Sequence, residues 1–164
     1  MQSAHEFENG NLNLFQAIVE QAQDAVIFAD CEGAIQLWNR GAETLFGYSA
    51  AEVLGNSLDV IIPERFRRAH WDGFQKALDT GQEKYKNKVL TTRSVHKDGS
   101  KLYVDLSFGL VKAENGTVVG AFAVGRDSAA RHLSERTLRA RIAELEEKEN
   151  SGSGAWKLRV KPDF

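Results

Sequence analysis

Apolar residues recur at two different spacings along this chain, and the spacings divide it into helices and strands. Steps of three and four residues over 11–22 predict a short amphipathic helix, and a second helix is expected from Glu64 to Leu78, just after Pro63. Alternating or β-rich apolar runs predict strands, with turn residues between them. The five predicted strands are 25–29, 34–38, 85–95, 101–111 and 117–125.

The order of these elements predicts the fold class. Two short helical segments, 40–46 and 50–54, each stop at a glycine and lie between the second and third strands. Five mostly antiparallel strands with helices inserted at one point make an α+β domain, which we place at residues 12–127. The polar segment before it, 1–11, is predicted to be disordered.

The character of the chain changes after the last strand. Residues 128–149 are rich in Ala, Leu, Arg and Glu, and Leu138, Ile142 and Leu145 stand at 4-3 spacing. This spacing predicts a helix with a short heptad seam for a partner helix, although an isolated surface helix has the same pattern. Residues 150–155 resemble a flexible linker, so 150–164 is predicted to be a flexible tail or an engineered addition.

Composition narrows the possible functions. The chain has 164 residues, enough for one core, and its 21 basic and 23 acidic side chains leave a net charge of -2, which argues against a nucleic-acid partner. It contains no apolar run long enough to span a bilayer, and its first 13 residues do not resemble a signal peptide. The single cysteine, Cys31, forms no internal disulfide. We therefore expect a cytoplasmic protein.

An enzyme is not expected. The sequence has no phosphate-binding loop, no recognisable pairing of a nucleophile with a base, and no two-carboxylate cleft.

Several short motifs occur in an order that resembles one known family. They are Trp38-Asn39-Arg40-Gly41-Ala42-Glu43, Phe46-Gly47-Tyr48, Ile62-Pro63-Glu64, Lys97-Asp98-Gly99 and Val124-Gly125-Arg126-Asp127. Together they resemble a PAS sensor domain over roughly residues 12–128. The resemblance implies a PAS fold, in which a five-stranded antiparallel sheet with helices on one face curls around a pocket. It also implies a sensor that binds a ligand or partner and passes a change to the helix that follows.

One stripe of the helix after Pro63 is predicted to face the pocket. At 100° per residue the stripe carries His70 near its centre, together with Phe66, Gly73, Phe74 and Ala77. An inward-facing imidazole is costly unless its nitrogen is used, and haem iron would use it as an axial ligand. The small Gly73 and Ala77 would let a flat ring approach. The alternative is a core histidine bonded to a backbone carbonyl.

The segment from Ile62 to His70 resembles the haem PAS domains of the rhizobial oxygen-sensor kinase and direct-oxygen-sensor phosphodiesterase types. This resemblance implies haem b held by His70 and a diatomic gas ligand (O2, CO or NO) or a redox signal. The chain departs from both types on the other side of the pocket: Lys88 stands where the phosphodiesterase type has methionine, and Leu90 where the rhizobial type has arginine. An apolar wall is expected there, and the remaining predicted pocket residues are Leu90, Leu106, Phe108, Phe122 and Val124.

Other ligands remain open. Cys31 lies in a hairpin turn and not in a helix, which excludes the covalent photochemistry of flavin photosensors, but non-covalent FAD or FMN, a small metabolite or no ligand at all are alternatives. Without a ligand the domain would serve for dimerisation or protein interaction.

The signal is expected to leave through the end of the sheet. A salt bridge between Arg126 and Asp127 is a candidate relay. We further expect a homodimer through the helices at 11–22 and 133–149, and an effector domain or partner protein that receives the signal.

Overall fold

The segments with strand-like apolar patterns form one antiparallel sheet, and helices lie against one of its faces. In this computed structural model, residues 11–83 and 85–156 are described. The prediction of disorder for residues 1–10 and the prediction for the tail after Trp156 lie outside them. The elements are α1 (Asn11–Gln21), β1 (Ala25–Asp30), β2 (Ile35–Trp38), α2 (Arg40–Phe46), α3 (Ala50–Val53), a 3-10 turn (Leu58–Val60), α4 (Glu64–Thr80), β3 (Leu90–Val95), β4 (Lys101–Lys112), β5 (Val118–Asp127) and α5 (Ala129–Trp156).

The sheet has the strand order β2-β1-β5-β4-β3, and every neighbouring pair is antiparallel. The predicted α+β class and five-stranded antiparallel sheet are confirmed. In β1 the buried residues Ala25, Ile27 and Ala29 alternate with half-buried residues. The β1–β5 register sets Ala123 opposite Ile27 and Ala121 opposite Ala29, so these four residues share the sheet face that the helices cover.

Three predicted boundaries differ from the structure. β3 begins at Leu90 and not at residue 85, because residues 85–87 form a turn in which Asn87 has φ 59°. α4 continues to Thr80, where Gly81 ends it in the left-handed conformation. α5 runs through 150–155, which the sequence predicted as a flexible linker. Extending an existing helix by a few residues costs far less than nucleating one, so Ser and Gly are tolerated there.

A buried asparagine joins three elements at one end of the sheet. Asn39 has no exposed surface, and its Oδ1 accepts from the backbone N–H groups of Val26 (2.8 Å) and Ala42 (2.9 Å). Its Nδ2 donates to the carbonyls of Val19 (2.8 Å) and Asp24 (3.0 Å). One side chain therefore caps α2 and connects it to β1 and to the end of α1.

A second polar cluster connects α3 to the β3–β4 turn, and its carboxylates make the stability of the fold depend on pH. Glu52 accepts from Lys97 and from the backbone N–H of Ser49, and these hydrogen bonds lower its pKa from 4.5 to about 2. Hydrogen bonds from Ser100, and a weaker one from His96, lower the pKa of Asp98 from 3.8 to about 2. Both carboxylates therefore favour the folded state once they are ionised.

We expect the free energy of unfolding to fall as the pH drops from about 5 to about 2. The reason is that a carboxyl whose pKa is depressed in the folded state contributes fully above its unfolded pKa and loses that contribution on protonation. Urea unfolding across this range measures the slope. In the double variant Glu52→Gln, Asp98→Asn the slope is expected to be shallower, whereas Glu114→Gln in the exposed β4–β5 turn should leave it unchanged. Equal slopes in all three proteins would contradict the assignment.

Candidate functional site

The helices and the sheet enclose a cavity of about 630 Å³, within the range of small-molecule and cofactor sites. The helical side of its wall includes Phe66, Ala69, His70 and Phe74 from α4. The opposite side is the sheet, where β1, β4 and β5 contribute Ile27, Ala29, Leu106, Phe108, Ala121, Phe122 and Ala123. The edge strand β3 adds the more polar segment 91–94, and Tyr85 completes this side.

His70 is the titratable side chain that α4 directs to this wall. Its imidazole is half-buried, and burial lowers its pKa, an effect that the negative charge of Asp59 partly opposes. Its Nδ1 is buried and has no hydrogen-bond partner among the described residues. The ring stacks on Phe74 at 6.0 Å and meets Trp71 edge to face at 4.9 Å. Burial therefore favours the neutral imidazole, the form of histidine that can donate a lone pair to a ligand, and its Nδ1 makes no hydrogen bond to a described residue.

A neighbouring contact fixes the rotation of α4. Trp71 Nε1 donates to Asp59 Oδ1 at 2.9 Å, and the indole lies so close to Gly33 that a Cβ there would approach its ring to 2.3 Å. Arg67 donates to the carbonyls of Asp59 and Ile62. These bonds hold the first two turns of α4 against the 3-10 turn, and His70, which precedes Trp71, lines the cavity. Sequence reasoning missed Asp59, because its partner is twelve residues away and no motif connects the two.

The ten predicted pocket residues divide into two groups. Six line the cavity: Phe66, His70, Phe74, Leu106, Phe108 and Phe122. The other four, Gly73, Ala77, Leu90 and Val124, lie outside its wall. Gly73 faces open space, since a Cβ added there meets no atom within 4 Å. Ala77 lies one turn beyond Phe74, where the α4 part of the wall ends. Leu90 pairs with Leu106 at the start of β3, and Val124 alternates with Ala123 and so points to the opposite face.

The position of Gly73 leads to a stability prediction. Gly73→Ala is expected to raise the free energy of unfolding by roughly 0.5–1 kcal/mol, because alanine is the better helix former and has space here. The substitution should also leave ligand binding unchanged. A change in ligand binding is expected only if Gly73 lets a flat ring approach the helix. Thermal and urea unfolding measure the gain. Gly41→Ala in α2 is the matched opposite: its Cβ would lie 2.2 Å from the Asp24 carbonyl, so we expect a loss of about 1–3 kcal/mol.

The predicted relay has a different partner in the structure. Arg126 Nη2 bonds to the Asp24 carboxylate, which lies just before β1, and not to the adjacent Asp127. Successive side chains of a strand point to opposite faces, so neighbours such as Arg126 and Asp127 are poorly placed to pair. Because the Asp24 carbonyl also accepts a hydrogen bond from Asn39, Asp24 connects the end of β5 to the buried Asn39.

The single cysteine lies away from the cavity. Cys31 is exposed in the β1–β2 turn, and its Sγ contacts the Val118 carbonyl at 3.4 Å. No covalent thiol adduct can form inside this cavity, because the chain has no second cysteine. Over the described ranges, no group of three or more His, Cys, Asp or Glu side chains is arranged to hold a metal ion. None of the helices in these ranges is long and apolar enough to cross a membrane.

Comparison with known proteins gives several partial relatives. A protein of Azorhizobium caulinodans is 32% identical over 124 residues, which cover 75% of this chain and 17% of that protein. The oxygen sensor protein DosP of Escherichia coli is 27% identical over 65% of this chain and 13% of its own length. The sensor protein FixL of Bradyrhizobium diazoefficiens is 30% identical over 57% of this chain and 19% of its own length. The chain thus spans less than a fifth of each relative.

Solved structures share the fold. The PAS domain of a Colwellia psychrerythraea protein superposes with a TM-score of 0.63 at 24% identity, covering 72% of this chain and 97% of that one. An RNA-binding light-oxygen-voltage receptor superposes with a TM-score of 0.68 at 20% identity, covering 87% of this chain and 40% of that one. The family model of the PAS fold matches residues 13–128. With the sheet order, the cavity and this match in agreement, the chain belongs to the PAS family.

Proposed function

We propose that this chain is a sensory PAS domain that binds haem b through His70 and acts by binding and relay, not by catalysis. The observation that carries the proposal is the position of His70 in the cavity wall, with a buried Nδ1 that makes no hydrogen bond to any described residue. Burial lowers its pKa, so at neutral pH the ring is unprotonated and able to act as a ligand.

The cavity wall suits a flat ring system with one polar edge. Phe66 and Phe74 flank the imidazole on α4, and the sheet offers a hydrocarbon surface opposite. Thr92 and Ser94 bring hydroxyl groups to the edge formed by β3. A porphyrin with its two carboxylates has this division into an apolar body and a polar edge. When bound, haem iron supplies a site for a diatomic gas, and the chain's own residues hold the ring and exclude water.

A signal would leave through β5. Ala121 and Ala123 of this strand touch the cavity, and the strand ends at Asp127, two residues before α5 begins. The salt bridge between Arg126 and Asp24 holds the end of β5 in place. A ligand that binds one arrangement of β5 more tightly than another shifts the population toward the first arrangement. Because α5 follows β5 directly, its conformation or position would change with that of the strand. Its receiver would be an effector domain or a partner protein.

The names of two relatives agree with this proposal, since DosP is an oxygen sensor protein and FixL a sensor protein. The RNA-binding light-oxygen-voltage receptor is 20% identical to this chain, so its likeness supports the fold and not a flavin ligand.

The decisive experiment is a hemin titration of the purified chain followed by visible absorption. We expect saturation at one haem per chain, with a Soret band distinct from that of free hemin. The absence of saturable binding would overturn the proposal, and flavin bands in the protein as purified would replace haem with flavin. An unchanged featureless spectrum would leave the domain as an interaction module.

We also propose that the chain forms a homodimer. Leu138, Ile142 and Leu145 of α5 are 63%, 54% and 47% exposed, and their 4-3 spacing forms a seam that a second copy would cover. On α1, Leu14, Phe15 and Ile18 also have exposed side chains. The triple change Leu138→Ser, Ile142→Ser, Leu145→Ser is expected to convert a dimer to a monomer in sedimentation experiments. Leu133→Ser is the matched control, because Leu133 is 65% exposed but lies off the seam. A wild-type monomer at micromolar concentration would contradict the proposal.

A further inference from the structure

The three strands that face α4 across the cavity present hydrocarbon alone. Among the described residues, β1 contributes Ile27 and Ala29, β4 contributes Leu106 and Phe108, and β5 contributes Ala121, Phe122 and Ala123. Because Phe122 alternates with Ala121 and Ala123, its side chain points to the other face of the sheet, and none of the other six side chains carries a hydrogen-bond donor. If His70 on α4 held a haem, the side chains of these strands would be groups that a gas ligand in the cavity contacts.

The remaining polar side chains of the wall are at its edge, and several already have partners. The Thr91 hydroxyl is 2.7 Å from Asp105 Oδ1, and the Thr92 hydroxyl donates to the Val104 carbonyl at 3.2 Å. The Arg93 guanidinium lies 5.7 Å from the centre of the Tyr103 ring, on the strand face opposite to Thr92. Ser94 is buried near the other end of β3, with its backbone opposite Leu102, and the contribution of its hydroxyl is tested below. Tyr85 lies in the turn before β3 and is 39% exposed.

We propose that this hydrocarbon surface makes the pocket select CO or NO and discriminate against O2. The inference rests on the proposed haem binding and narrows it to a ligand class. O2 gains negative charge when it binds ferrous haem and needs a donor to hold it, whereas CO stays nearly neutral and needs none. Donors and polarity on this side of a haem are what separate O2 binding from other outcomes. A surface built from Ile, Ala, Leu and Phe supplies no such donor.

The test adds a donor to the wall without changing its shape. Phe108→Tyr places one hydroxyl on the hydrocarbon surface at nearly constant volume, and Ala123→Ser does so with a smaller side chain if the first variant folds poorly. Phe28→Tyr is the matched control, since Phe28 packs over Gly120 and is outside the cavity wall. Rates of O2 and CO dissociation are measured by rapid mixing on the whole chain loaded with ferrous haem, and hemin stoichiometry is measured separately.

We expect rapid O2 release from the wild type, and release about tenfold slower from Phe108→Tyr or Ala123→Ser, roughly the contribution of one hydrogen bond. CO release should change less than about twofold, and Phe28→Tyr should change neither rate. Tight O2 binding by the wild type that Ser94→Ala abolishes would overturn the inference while haem binding stands, because the donor would then come from β3. Failure to bind hemin at all would overturn the proposed function and this inference together.

Discussion

His70→Ala should remove haem binding as the proposal describes it. Loss of a group that merely orients a metal ligand commonly costs roughly 10- to 100-fold in affinity, so loss of the ligand itself is expected to weaken hemin binding by at least about 100-fold. The Soret band of any residual complex should move toward that of free hemin. The fold is expected to survive, since the half-buried imidazole makes no hydrogen bond through its buried Nδ1. Circular dichroism and unfolding curves check this point.

Two comparisons separate ligation from a general effect of losing a histidine. His96 is also half-buried, but it packs over Gly47 and pairs with Asp98 at 2.9 Å, outside the cavity wall. His96→Ala should therefore keep wild-type hemin affinity. Added imidazole should restore the spectrum of His70→Ala, because the truncated side chain leaves room for a ligand of the same chemistry. Equal hemin affinity in wild type and His70→Ala would eliminate His70 as the ligand.

Much of the fold was predictable because its signals are local. The β-rich run of β1, the period of two in β4 and the Lys97-Asp98-Gly99 turn depend on neighbouring residues alone, and the structure has the corresponding strands. The start of β3 was not predictable in this way. Tyr85 and Val89 give the preceding loop a strand-like apolar content, yet they are 39% and 66% exposed, and only the tertiary structure shows that the pairing of β3 with β4 begins at Leu90.

The candidate site was likewise predictable only where its signals are local in the sequence. A helical period identified Phe66, His70 and Phe74, because residues on one stripe of a helix face one surface. The same period also selected Gly73, which faces open space, and Ala77, which lies beyond the end of the cavity along the helix. The contact of Trp71 with Asp59 joins two elements and left no trace in sequence spacing. The Arg126–Asp24 pair spans 102 positions and was hidden for the same reason.

Asn39→Ala should be the most damaging single change in the fold, at about 3–5 kcal/mol of unfolding free energy. It would leave the N–H groups of Val26 and Ala42 and the carbonyls of Val19 and Asp24 without the partners that they now have. A buried polar group that loses its partner costs about 1–3 kcal/mol, and these four groups lie together at one end of the sheet. A domain of this size has about 5–15 kcal/mol in total, so the variant would approach the unfolding threshold.

The conservative change Asn39→Asp distinguishes the two halves of this cluster. The carboxylate still accepts from Val26 and Ala42, but at neutral pH it places a buried charge against the Val19 and Asp24 carbonyls, so we expect a loss at least as large as that of alanine. Protonation turns the carboxyl into a donor, and the deficit relative to wild type should shrink as pH falls. Asn56→Ala is the control: its exposed Nδ2 donates only to the Glu52 carbonyl in α3, and its loss should cost less than about 1 kcal/mol. Urea unfolding of the three variants and the wild type at two pH values measures all of these differences. A deficit for Asn39→Asp that does not depend on pH would show that the donated bonds are not what Asn39 contributes.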